Sequence, residues 1–162
     1  MNLKEIEAEK LWQILKSYKL IVEEIRIYQE IYDKIQAKIE AVQTPSAVRY
    51  DTEKVSGTPT PTDTIVNAYY SDQQDIEKPL NIARAQKAAI EELCSLCSEE
   101  AQAYIEDKFF NGRRWFEMEE RYHYTAGAIR KRIFSELEYI VTINGYDYEK
   151  ACRKHLREIL SK

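Results

Sequence analysis

A chain of 162 residues holds one domain of ordinary size plus an appendage. Apolar residues make up 44% and charged residues 32%, and only four Gly and four Pro are present, which argues for long helices and against a many-turned β fold. The formal net charge of -4 does not point to a nucleic-acid binder, but the signs are segregated along the chain.

Residues 1–43 contain Met1 and then a stretch without Gly or Pro. Ile14, Tyr18, Ile21, Ile25, Tyr28, Tyr32, Ile35 and Ile39 follow one another at alternating spacings of four and three, with Leu11 before them and Val42 after. That is a heptad seam, and it predicts a long, coiled-coil-like N-terminal helix. So narrow an apolar stripe needs a partner. The partner is either another copy, making a homo-oligomer (a dimer), or a second helix folded back on the first. The charged N-terminus, "MNLKEIEAEK", lacks the apolar core of a signal peptide, and no apolar run approaches the roughly 20 residues of a membrane span. A cytoplasmic protein with no membrane partner is expected.

Thr44-Pro45 ends this helix, because proline lacks a donor and restricts the residue before it. Residues 44–78 read as a linker rich in Thr, Ser, Pro and Asp. Gly57-Thr58-Pro59-Thr60-Pro61 excludes a helix there, little regular structure is expected over 44–74, and a β-like excursion over 48–55 is disfavoured.

The helical pattern returns at Asp75, with Pro79 suited to a first turn, and runs to about Cys97 through Leu80, Ala83, Ala88, Ile90, Leu93 and Leu96. Ser98-Glu99-Glu100 starts the next helix: a hydroxyl cap, then acids at the positive end of the dipole. Asn111-Gly112 stops it. A third helix covers about Arg113 to Arg121, with Trp115, Met118 and Tyr122 on one side. His123-Tyr124 make a turn, and Thr125 caps a fourth helix whose inner face is Ile129, Ile133, Leu137 and Ile140. Asn144-Gly145 stops that helix, and Asp147 caps a last one within 144–162. The class is all-α, with a module over 79–143.

The three cysteines give no disulfide framework. Cys94-x-x-Cys97 and Cys152-x-x-His155 together offer zinc-type side chains, but both pairs fall in predicted helices, whereas zinc knuckles sit on tight turns. Cys94 and Cys97 read as small buried apolar residues. No metal and no cofactor are expected. His123 and His155 are the only histidines, and no catalytic set or phosphate-cradling Gly loop occurs at a working spacing, so the chain is not expected to be an enzyme.

Between Asp107 and Phe134 the cations Lys108, Arg113, Arg114, Arg121, Arg130, Lys131 and Arg132 outnumber Asp107, Glu117, Glu119 and Glu120. Two short helices joined by a tight turn, the second opening with a hydroxyl and small residues, is the helix-turn-helix layout. Burying Ile129 and Ile133 leaves Ala126, Gly127, Arg130, Lys131 and Phe134 outward. Arg130 and Lys131 then reach guanine edges or phosphates, and Arg113 and Arg114 reach phosphates. With Tyr124 and Thr125 in the turn, these form the candidate contact set for double-stranded DNA, with helix 126–143 in the major groove.

The stretch "LCSEEAQAYIEDKFFNGRRWFEMEERYHYTAGAIRKRIFSEL", and "TAGAIRKRI" within it, resembles the fourth conserved region of bacterial sigma factors. The layout of long helix, polar linker and sigma-like module resembles the RinA/ArpU-type phage transcriptional regulators. The resemblance implies a phage or prophage regulator that binds promoter DNA and touches host RNA polymerase. Glu119 stands where the family has a small residue at the helix crossing, and His123 where its turn has Gly. Two alternatives remain open: a phage terminase small subunit, which recognises DNA for packaging, and a helical interaction protein whose degenerate helix-turn-helix binds protein.

Overall fold

A computed structural model describes residues 2–43 and 61–162. All regular elements among them are helices: α1 (Leu3–Lys16), α2 (Tyr18–Gln43), α3 (Pro61–Ser95), α4 (Glu99–Ile105), α5 (Trp115–Tyr122), α6 (Ala126–Tyr139) and α7 (Tyr148–Leu160). α4 and α6 run on as wider π turns, Glu106–Phe110 and Ile140–Asn144. The chain is all-α, as its composition requires. No helix among the described residues is long and apolar enough to cross a membrane. Two compact units divide it: Met1–Glu23 with Ile82–Lys162, and Glu24–Asn81.

In the smaller unit, Gln73 donates from Nε2 to Gln36 Oε1 at 2.7 Å, and Lys38 Nζ lies 5.9 Å from the Tyr69 ring centre. These pairs run in opposite chain directions, so α2 and α3 pack antiparallel. Ile39 of the seam is buried, and Ile25, Tyr28, Tyr32 and Ile35 are half-buried. Of the two partners the seam calls for, the chain itself supplies the folded-back helix.

That helix corrects the linker. Within 44–78, residues 44–60, with the disfavoured β-like stretch over 48–55, lie outside the described residues, whereas 61–78 are helical. Pro61 opens α3, where a missing N–H costs nothing, and Asp63 sits in the first turn near the positive dipole end. Val66, Tyr69, Gln73, Ile76 and Leu80 then recur at alternating spacings of three and four, a second seam facing the first. Pro79 is accordingly inside the helix and not at its first turn.

The larger unit corrects the single N-terminal helix. The N–H and the hydroxyl of Ser17 both donate to the Ile14 carbonyl, at 3.0 and 2.5 Å. This tight turn separates α1 from α2, as serine back-bonding does. α1 buries Ala8, Leu11, Trp12 and Leu15 and packs chiefly against α6. Residues 1–23 therefore belong with the C-terminal module and not with a separate coiled coil. Here Ile14 is half-buried, Tyr18 stacks on Phe110 at 4.0 Å, and Ile21 is buried. α7 docks on α3: Tyr146 donates to the Ala89 carbonyl at 2.8 Å, and Lys154 pairs with Glu92 at 2.6 Å.

Candidate nucleic-acid interface

The site is assembled on α4, α5 and α6. Ser98 caps α4, its hydroxyl accepting from the Ala101 N–H at 3.3 Å. The π turn after α4 carries Asp107, which is buried. Its carboxylate accepts from the Tyr122 hydroxyl and pairs with Arg113 at 3.3 Å and Arg121 at 3.5 Å. Burial pushes this carboxyl up, but the Tyr122 hydrogen bond and the Arg121 and Arg113 charges outweigh it and hold it below the ordinary aspartate value. Burial, then Asp107 itself, pushes the Tyr122 phenol up to about 12. Asp107 thus fixes the start and end of α5 against α4. Gly112 in the connection has φ 71°, which only glycine adopts without strain.

The turn from α5 to α6 is His123–Thr125. His123 is left-handed, φ 60°, and its N–H donates to the Glu119 carbonyl at 2.9 Å. Thr125 caps α6, accepting from the Ala128 N–H at 3.1 Å, and the Glu119 carboxylate accepts from the Ala126 N–H, also at 3.1 Å. His123 and Glu119 thus each have local work: His123 takes the left-handed position, and Glu119 supplies a second cap to α6.

Ile129 and Ile133 are 0% exposed, as the sequence expects, and Gly127, Arg130 and Lys131 are exposed on the opposite side of α6. A Cβ at Gly127 would meet nothing within 4 Å, so the fold itself does not demand glycine there. Phe134 is a correction: it does not point outward but stacks on Trp12 at 4.5 Å, because α1 covers that flank of α6.

The cations sort into two groups. Arg113 and Arg121 are held by Asp107, and Arg132 pairs with Glu100 while its guanidinium lies 3.9 Å from the Tyr124 ring centre. Arg113 thus anchors the connection between α4 and α5. Lys108, Arg114, Arg130 and Lys131 have no carboxylate within ion-pair distance among the described residues. Arg130 stacks over Trp115 at 4.8 Å, which holds its guanidinium at the surface. Arg114, Gly127, Arg130, Lys131 and Tyr124 are all exposed, Thr125 is exposed at the cap, and Ala126 is half-buried.

Sequence reasoning missed Asp107, because an acid in a helix reads as a solvent face, and it missed Lys16, Lys19 and Trp12, which reach α6 only through the docking of α1. Lys16, Lys19, Lys108 and Arg130 with Trp12, Phe109, Trp115 and Phe134 line one groove of about 570 Å³. Cys94 and Cys97 are buried at the end of α3, and burial pushes both thiols up to about 12, so they are inert there. No protein-family model matches the chain, no curated protein matches it in sequence, and no solved structure matches it.

Proposed function

We propose that the chain is a sequence-specific double-stranded DNA-binding transcriptional regulator that reads the major groove with helix 126–143. The observation that carries this is the partition of α6: Ile129 and Ile133 at 0% exposure inside, Gly127, Arg130 and Lys131 outside. The turn before α6 is doubly capped, so the exposed edge is rigidly presented. Two uncommitted cations beside a small residue at a helix start suit base edges and flanking phosphates.

The sigma-like resemblance extends this proposal to a phage or prophage regulator with host RNA polymerase as a second partner. A dimer is supported by exposed Ile27 and Ile31 on α2 and Ile65 and Tyr70 on α3. The rival reading, a helical interaction protein, is favoured by exposed Phe116 and Tyr139.

Selection of bound fragments from a genomic DNA pool tests the reading and supplies the site. On the selected duplex, Arg130→Ala and Lys131→Ala are each expected to cost about 1–3 kcal/mol where a base is read. Binding of wild type that is indifferent to sequence, or absent at low salt, refutes it in favour of the interaction protein.

A further inference from the structure

Seven cations of the larger unit are taken up by an acidic partner. Lys4 pairs with Glu138, Lys10 with Glu7, Lys87 with Glu91, Lys154 with Glu92, Arg113 and Arg121 with Asp107, and Arg132 with Glu100. Lys16, Lys19, Lys108 and Arg130 do not: none has a carboxylate within ion-pair distance among the described residues. These four line a single groove with Trp12 and Trp115.

The groove is built, not incidental. Lys16 ends α1 and Lys19 lies in the first turn of α2, and the Ser17 turn brings both to the same edge. Lys108 comes from the π turn after α4, and Arg130 from α6. Trp115 lies between two of the charges, with Lys108 Nζ at 4.5 Å and the Arg130 guanidinium at 4.8 Å from its ring centre. Lys108 also donates to the Arg113 carbonyl at 3.1 Å, which fixes its ammonium. The Lys19 side chain lies alongside Gly112 in the connection from α4 to α5. Glu9 is the single acid on the rim. Burial, then the charge of Arg130, hold the Lys108 ammonium below the ordinary lysine value, against the smaller opposing charge of Glu117.

We propose that this groove is a phosphate clamp, in which Lys16, Lys19 and Lys108 grip the duplex backbone flanking the base pairs read by α6, and Arg130 joins the groove to that reading edge. The proposal rests on the DNA-binding reading above and adds to it a role for the N-terminal helices. Four cations from four elements along an open groove suit a polymer with regularly repeated charge better than a single carboxylate. The groove is also continuous with the exposed edge of α6 through Arg130 itself. Charge at the groove positions the duplex without carrying sequence information.

The test titrates the full chain with its selected duplex over a range of salt, comparing wild type with Lys16→Gln/Lys19→Gln and Lys16→Arg/Lys19→Arg. The plot of log K against log salt is expected to flatten by about 0.9 for each phosphate contact removed, hence by about 2 for the Gln pair. Preference for the selected duplex over a scrambled one is expected to stay as in wild type, and the Arg pair to restore the wild-type slope. Both lysines are exposed, so melting should not change; if it does, the comparison of Gln with Arg pairs well below the melting point still decides. Wild-type binding with an unchanged slope in the Gln pair overturns the clamp and leaves the α6 reading standing. Wild type that binds no duplex removes both. If poly-glutamate competes at matched charge and suffers the same loss in the Gln pair, the groove serves an acidic protein and the clamp is wrong.

Discussion

The Glu119 carboxylate accepts a hydrogen bond from the Ala126 N–H at 3.1 Å, across the turn that joins α5 to α6. Helix starts leave N–H groups without partners, and α6 has both Thr125 and Glu119 to answer them. Glu119 also puts a negative charge at the positive end of the dipole. Glu119→Ala is expected to lower stability by about 1 kcal/mol, and Glu119→Ala with Thr125→Ala by about twice that. Urea unfolding checks it. A Glu119→Ala variant as stable as wild type means the hydrogen bond contributes nothing in solution.

His123 is the only non-glycine residue at positive φ among the described residues. Its side chain is exposed, so a substitution there acts through the backbone and not through lost packing. The left-handed conformation costs a side-chain-bearing residue about 1–2 kcal/mol, and a β-branched one most. The expected order of melting temperature is therefore His123→Gly at or above wild type, and His123→Val below both. A Val variant that melts with the Gly variant would show that the turn is not left-handed.

Much of this region was legible because caps and stops are local chemistry. Ser98, Thr125 and Asp147 each accept from the N–H three residues on, and Gly112 and Gly145 take the left-handed backbone their stops require. What depended on partners was not legible. The heptad spacing runs unbroken from residue 11 to residue 42, so it could not show that the seam changes units after Glu23. The helix before Asp75 was hidden because Gln73 occupies a seam position, where it bonds Gln36 and not an apolar neighbour. Phe134 looked outward only until α1 laid Trp12 against it.

Asp107 makes stability pH-dependent in a stated direction. Its folded value lies below the unfolded one, so its contribution is fully present above about 3.9, the unfolded value, and is lost as pH falls through the folded value. Asp107→Asn is expected to cost about 1–3 kcal/mol at neutral pH, because it removes the charge facing Arg113 and Arg121 while Tyr122 keeps an acceptor. The gap should close in acid. At the other end, Tyr122 is raised to about 12, so the stability it contributes is complete below about 10 and is lost as pH climbs from there to its folded value. Denaturation midpoints of wild type and Asp107→Asn across pH check both limbs; a gap of constant size from neutral pH to acid contradicts the ionic role.

Gly127 separates the needs of the fold from those of the proposed surface. Glycine in a helix is worse than alanine by about 1 kcal/mol, and a methyl group at this position points into open space. Gly127→Ala should therefore stabilise the protein, by up to about 1 kcal/mol. If the first turn of α6 approaches a base-pair edge, the same methyl group stands between them, and affinity for the selected duplex should fall while affinity for unrelated duplex, held by phosphate contacts, changes little. Melting and binding thus move in opposite directions. A variant that is both more stable and an equally selective binder would mean that glycine at this position does nothing for DNA, and that the outward edge of α6 meets its ligand further along, at Arg130 and Lys131.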